Sequence, residues 1–253
     1  MHVRSPRRKI LRVHGFSKGI EVNPEKIEAI IKMQSPNTVK EVQKLAGRIA
    51  ALNRFISRSS DKGLPFSKVL KKVDGFSWTE QCQAAFEDLK KYLASPPLLT
   101  KSRPGETLFL YLTILEGALS AVLIREEGRK HQPIYYVSKI LQRLEERYPQ
   151  IEKLTLALVT AARKLRSYFQ SHHVVVLTNH PLKKILADPN VSGRMVKWSI
   201  ELSEHGIEYQ PRPAIKAQPP ADFISELTIT EDPQKIEWWK LFVDGSYTSL
   251  GSG

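Results

Sequence analysis

The feature that most constrains this chain is a change of hydrophobic period near residue 105. Before it, apolar residues recur at steps of three and four, the spacing of one helical face. After it come three short runs, TLFLYLT at 107–113, ALSAVLI at 118–124 and PIYYV at 133–137. They read as consecutive strands, with a turn at Glu126–Lys130 joining the second to the third. A helix is then predicted from Pro149 to about Phe169, with Ile151, Leu154, Leu158, Ala162, Leu165 and Phe169 on one face. A strand at Val174–Thr178, a helix over about 192–204, a strand at Ile207–Gln210 and a short helix over about 220–227 follow. The order β-β-β-α-β-α-β-α, behind a helical first part, predicts an α+β protein: a small helical region, then one mixed sheet with helices packed on it.

The helical part carries clear start signals. Asn23-Pro24-Glu25 supplies a capping side chain, a proline at the first helical position and an acid in the first turn. Its helix runs through Ile27, Ile30 and Ile31 and stops near Ser35-Pro36. Thr38 caps a second helix reaching about Ile56, and Thr79 caps a third reaching about Ala94. The third buries Cys82, Ala85, Phe86, Leu89 and Leu93 at helical spacing, which makes the single cysteine core filler. In the second, Val42, Leu45, Ile49, Leu52 and Ile56 form an apolar stripe. Lys40, Lys44 and Arg48 share another stripe at i, i+4 and i+8, flanked by Gly47 and Ala51, which add almost no bulk. One face is built for a core; the other is basic and flat enough for a sugar–phosphate backbone to approach.

Charge is distributed as that stripe suggests. The whole chain has 39 Lys+Arg against 26 Asp+Glu, a formal net charge of +13. Residues 1–100 hold 19 of those bases and 9 of the acids, so most of the excess lies in the first two-fifths. A concentrated basic surface attracts a polyanion, and release of condensed counterions supplies much of the affinity for nucleic acid. Composition alone does not separate nucleic acid from an anionic membrane. One cysteine excludes a disulfide framework and a cysteine-based zinc site, and an intracellular setting is the expectation. No apolar stretch approaches the roughly 18–20 residues of a membrane span. The Arg-rich, acid-free opening MHVRSPRRKILRVH reads as an exposed basic arm over residues 1–18 rather than a transit peptide.

Several long runs carry a family resemblance. IEVNPEKIEAI, TVKEVQKLAGRIAALNRFISR, FSWTEQCQAAFEDLKKYL and SPPLL resemble the reverse-transcriptase thumb and following linker of Gypsy-type LTR retrotransposon polyproteins of plants. QPIYYVSKILQRLEERYPQIEKLTLALVTAARKLRSYF and VVVLTNHPLKKIL resemble the RNase H-like domain that comes next, and LFVDGS is similar to the first strand of a second, tandem RNase H domain. The resemblance implies four segments: the basic arm at 1–18, a thumb with linker helices at 19–100, an RNase H-like domain at 101–228, and a linker with a truncated first strand at 229–253. A lone strand cannot bury its own faces, so the last segment is expected to lean on its neighbour or to be poorly ordered.

What the resemblance implies for catalysis is mostly loss. Two-metal hydrolysis of a phosphodiester needs carboxylates around a pair of divalent ions, and Mg²⁺ demands oxygen ligands. The family's RNase H fold supplies an Asp on the first strand, a Glu on the first helix, an Asp after the fourth strand and an Asp near the last helix. By the resemblance these positions fall at Thr113, Leu154, Asn179 and Asp222, so only Asp222 keeps its carboxylate; Glu116 is a nearby substitute that leaves Leu154 and Asn179 uncorrected. Asp244 matches the first aspartate of the tandem domain but lacks its partners within this sequence. No metal or other cofactor is expected, with Mg²⁺ entering only where an RNase H site is complete. Among the histidines, His172 and His173 are adjacent and His14, His131, His180 and His205 gather no ligand set in sequence.

Three readings of function remain open at the level of sequence. One is a binding and scaffolding element that grips a primer–template duplex or RNA–DNA hybrid through Lys40, Lys44, Gly47 and Arg48, without a membrane and alongside other Pol polyprotein segments. The second is an RNase H-type ribonuclease, or part of an RNA-directed DNA polymerase in a longer polyprotein. The third is an open reading frame with no selected role.

Overall fold

The computed structural model describes residues 15–16, 19–71, 75–95, 97–128 and 130–212. The expected helix over about 220–227, the strand ahead of Asp244, and the basic arm as far as residue 14 lie outside the described residues.

Each cap read from the sequence is formed. Asn23 accepts from the Glu25 amide at the start of α1 (Pro24–Ile31), Thr38 from Glu41 at α2 (Val39–Leu52), and Thr79 from Cys82 at α5 (Glu80–Ala94). The α2 stripe is buried throughout: Val42, Leu45, Ile49 and Leu52 point into the helical core, and Ile56 joins them after a 3₁₀ turn over Asn53–Phe55. The regular helix therefore ends earlier than expected. Two helices were not expected, α3 (Ser59–Lys62) and α4 (Leu64–Lys71). Phe66 and Val69 of α4 close the core opposite Phe86, Leu89 and Leu93 of α5, and Trp78 stacks on Phe66 with ring centroids 5.7 Å apart. Cys82 is buried in this cluster, as core filler.

Two short antiparallel strands, β1 (Gly15–Phe16) and β2 (Gly19–Ile20), lead into the helices, and the second part is a five-stranded sheet in the order β5-β4-β3-β6-β7. Strands β3 (Leu108–Leu115), β4 (Ala118–Glu127) and β5 (Lys130–Ile140) form the antiparallel meander, while β6 (Val174–Leu177) and β7 (Glu208–Gln210) add in parallel. The expected long helix is divided into α6 (Gln150–Lys164) and α7 (Arg166–Ser171), because Leu165 leaves helical geometry at φ −108°, ψ 23°. A further short helix, α8 (Leu182–Leu186), precedes α9 (Gly193–Ser203). The Arg163 guanidinium donates two bonds to Glu201, at 2.6 and 2.7 Å, holding α9 against α6.

The two parts are packed together. One sheet face is covered by α6, with Leu110, Leu112, Ala121, Leu123, Leu154 and Leu158 in a common cluster. The opposite face carries Tyr111, Val122, Ile124, Tyr136, Val175 and Leu177, and there Ile20 and Leu99 from the two ends of the helical part pack onto it. Ile20 and Leu99 also pair as an isolated bridge, with N–O distances of 2.6 and 3.3 Å. Ser60 of α3 donates its amide to Ser138 Oγ on β5 at 3.0 Å, and the Arg54 guanidinium lies 4.8 Å over the Tyr135 ring.

Gly117 is one position where this packing leaves little room. It turns β3 into β4 at φ +77°, and an added Cβ would sit 3.2 Å from Leu64 of α4. Gly117→Ala is expected to destabilise the protein by about 1–2 kcal/mol, read as a lower midpoint in urea unfolding. Gly128→Ala, also at positive φ but with open space around it, is expected to cost less.

Candidate nucleic-acid interface

Three of the four residues assigned to the basic surface stand as the helical period places them. Lys40 and Lys44 are exposed one turn apart on α2. Gly47 is also exposed, and a Cβ built there meets nothing within 4 Å, so the backbone is bare at that point. Arg48 is half-buried. Its Nη1 donates to the Ala29 carbonyl of α1 at 2.5 Å and lies 3.2 Å from Met33 Sδ. The helical spacing could place Arg48 on the stripe, but the tie to α1 depends on how two helices cross, which the spacing does not contain.

Lys44 and Arg48 line a shallow open groove of about 490 Å³ between α1 and α2, with Glu25, Glu28 and Lys32 on its other wall. Lys32 bonds Glu28 at 2.8 Å and holds that carboxyl below its usual range. The acids on α1 are thus partly answered from within their own helix, while the outward charge of α2 is Lys40 and Lys44 with Glu41, whose carboxylate accepts the Asn37 amide.

The positions matched to the RNase H carboxylates lie in the sheet part of the chain. Thr113 is buried on β3 beside its register partner Ser120. Leu154 is buried in the apolar cluster beneath the sheet. Asn179 is exposed just after β6, and its Oδ1 accepts the Arg212 amide at 3.0 Å. Arg212 was not singled out by the sequence. It stands two residues beyond β7 in Gln210-Pro211-Arg212-Pro213, and its Nη2 donates to the Leu112 carbonyl at 2.7 Å. An arginine set between prolines directly after an edge strand is the signal that could have marked it. Asp222 and Asp244 lie outside the described residues.

A hydroxyl, an isobutyl group and an amide supply no negative charge, and an arginine adds a positive one. This donor set does not fit Mg²⁺. Among the described residues, no three His, Cys, Asp or Glu side chains come together as a metal site. The histidines are engaged separately: His173 Nε2 lies 2.9 Å from Glu208, His172 Nδ1 lies 3.2 Å from the Glu106 carbonyl, and His131 Nδ1 lies 3.3 Å from the Tyr111 hydroxyl.

Burial pushes the Tyr111 phenol up to about 12, against the pull of the Arg212 charge and with a smaller push from Glu126. Burial likewise holds His131 below its ordinary value, with Glu126 acting the other way.

Residues 78–176 match a family model described as the RNase H-like domain found in reverse transcriptase. The chain is similar to the retrovirus-related Pol polyprotein from transposon opus of Drosophila melanogaster, 27% identical over 222 residues, covering 83% of this chain and 22% of that protein. It is also similar to the transposon Tf2-3 polyprotein of Schizosaccharomyces pombe, 25% identical over 237 residues, covering 89% of this chain and 17% of the relative. The chain therefore spans about a fifth of the length of these relatives. Among solved structures, it resembles the foamy viral protease-reverse transcriptase in complex with dsDNA, at TM-score 0.65 and 20% identity, covering 78% of this chain and 42% of that one. The same enzyme in complex with an RNA/DNA hybrid gives TM-score 0.64 and 19% identity, covering 80% and 29%. At these identities the likeness to solved structures is one of fold.

Two outcomes are expected from this geometry. Arg48→Ala loses the tie to α1 and lowers stability by about 1 kcal/mol in chemical denaturation, whereas Lys44→Ala leaves it unchanged within error. Tyr111 keeps its proton in the folded state to about 12 while the unfolded phenol ionises near 10. Below pH 10 its contribution is fully present, and it is lost as pH rises from 10 through 12. Alkaline unfolding curves of Tyr111→Phe are expected to fall less steeply across that window. Tyr209, which burial also raises to about 12, accounts for part of the remaining slope.

Proposed function

We propose that this chain is a nucleic-acid-holding element of a Gypsy-type LTR retrotransposon Pol polyprotein of plant lineage. In this reading residues 19–100 are a reverse-transcriptase thumb with its linker, residues 101–228 a non-catalytic RNase H-like tether, and residues 229–253 the start of a second RNase H domain. The observation that carries it is the outer face of α2, where two exposed lysines one turn apart are followed, three residues on, by a glycine with nothing above it. Lysines there hold phosphates, and the bare glycine admits the sugar–phosphate backbone close to the helix. Contacts of this kind fix position on a duplex without reading its sequence. The foamy viral structures in complex with dsDNA and with an RNA/DNA hybrid support a duplex as the ligand. Other segments of the same polyprotein are its natural partners.

Fluorescence anisotropy with a labelled DNA duplex and a labelled RNA–DNA hybrid tests this reading. Binding is expected with Kd of roughly micromolar order at low salt, weakening steeply as salt rises. Lys40→Ala and Lys44→Ala are each expected to lower the slope of log affinity against log salt by about 1. Gly47→Ala is expected to stabilise the fold by about 0.5–1 kcal/mol through helix propensity while weakening binding, a combination that separates close approach from misfolding. Affinity that does not change with salt would refute the proposal.

A ribonuclease reading is tested in the same tubes. With Mg²⁺ or Mn²⁺ present, the labelled hybrid is expected to remain uncut, because the described positions supply no ring of carboxylates. Cleavage abolished by Asp222→Asn or Asp244→Asn would establish the opposite.

A further inference from the structure

A cleft on the sheet part gathers bases that the α2 surface does not use. It opens where the linker leaving the helical region crosses the ends of β4 and β5, fixed there by the Thr100 amide donating to the Pro133 carbonyl at 2.8 Å. The cleft measures about 610 Å³, and its lining includes Lys101, Ser102, Arg103, Arg125, Glu127 and Gln132. Three bases thus stand against one acid. Lys101 and Arg103 are exposed, whereas the Arg125 side chain is only 7% exposed. Register puts Arg125 opposite Leu108, where β3 begins, and Thr113 lies further along that strand.

The Arg125 charge is loosely met by its neighbours. Arg163 and Glu201 show a closed pair in this protein, with two bonds of 2.6 and 2.7 Å. Arg125 makes nothing comparable. Its Nη2 stands 3.3 Å from Glu106 and 3.9 Å from Glu127, and its Nη1 lies 3.4 Å from the Lys101 carbonyl. Its Nε, sealed from solvent, makes no hydrogen bond. The Glu127 oxygen near Arg125 is the same Oε1 that accepts from Arg103 Nη2 at 2.6 Å. Two guanidiniums therefore converge on one carboxylate oxygen, beside a lysine and a hydroxyl. Planar, permanently charged forks around an acceptor oxygen are the chemistry that recognises phosphate.

We propose that this cleft binds a phosphate-type oxyanion, with Lys101, Ser102 and Arg103 holding its oxygens and Arg125 supplying fixed positive charge from within. The site is separate from the lysines of α2 and does not rest on nucleic-acid binding there. Free phosphate and a phosphodiester group of a nucleic acid offer the same oxygens, and the experiment tells them apart.

The ¹⁵N-labelled full chain is titrated with sodium phosphate, and with sodium chloride at equal ionic strength, and followed by amide shifts and urea unfolding. Phosphate is expected to move the amides of Lys101, Ser102, Arg103 and Gln132 saturably. At about ten times its dissociation constant it is expected to raise the folding equilibrium constant about ten-fold, an effect that chloride does not reproduce. Lys101→Ala and Arg103→Ala, both at exposed positions, are each expected to weaken phosphate binding about five-fold or more, with folding in chloride changed less than about three-fold. Arg125→Met is expected to abolish binding, and the two exposed variants carry the test should it fail to fold. Lys197→Ala, at an exposed site of α9, is expected to keep the full phosphate effect. A short DNA duplex added to the same sample identifies the source: it moves the same amides where a phosphodiester is the ligand, and leaves them responsive to inorganic phosphate where free phosphate is. Uptake of phosphate here by a chain that binds no duplex would keep this site and refute the α2 reading. Two results would overturn the proposal: no saturable shift at these amides with either anion, or a phosphate effect undiminished in both Lys101→Ala and Arg103→Ala.

Discussion

The central strand β3 is apolar on both faces, and the rest of the architecture answers that fact. Leu108, Leu110 and Leu112 are buried against the α6 side, while Tyr111 is buried on the other face with Val122, Val175 and Leu177. A single layer of helices could cover only one of those faces. The second cover comes in part from the helical region, whose Ile20 and Leu99 lie on the same patch, with Phe55 packed at its margin. The bond from Ser60 to Ser138 adds a directional contact between the helical region and the sheet, and Arg54 seats over Tyr135 on the α6 side of it. The basic face of α2 is therefore carried on a body that is fixed to the sheet, not hung from it by a linker.

Charge in this protein divides into two kinds. Lys40 and Lys44 face solvent and are free to meet a polyanion, where their contribution is long-ranged and screened by salt. Arg48, Arg54 and Arg212 are committed inward, to a helix carbonyl, an aromatic ring and a strand carbonyl respectively, and the exposed Arg163 is fixed to the Glu201 carboxylate. The division follows the chemistry of the two side chains. Arginine's planar fork suits fixed, directional partners, and lysine's compact ammonium keeps its water and stays mobile.

Much of the fold was legible because its elements carry local signals. The caps at Asn23, Thr38 and Thr79 each place a side-chain oxygen within reach of amides two or three residues on, so sequence alone contains the interaction. The meander was legible because β3, β4 and β5 are long apolar runs separated by short turns. What was missed depends on contacts distant in sequence. Helices α3 and α4 are short, and the apolar positions of α4 are answered by α2, α5 and the β3–β4 turn, which are distant in sequence or in a different element. The break at Leu165 falls inside an uninterrupted helical pattern that contains neither glycine nor proline. In the candidate site, the exposed lysines and Gly47 followed from period, whereas the inward turns of Arg48 and Arg212 are set by neighbours 19 and 100 residues away.

The bridge between Ile20 and Leu99 has a topological consequence. The two strands of chain that enter and leave the helical region are clasped to each other at one point, so everything between them is a single closed excursion from a common root. The lobe is held a second time where Arg54 and Ser60 meet β5, so tension applied along the chain meets the clasp before it reaches the helices.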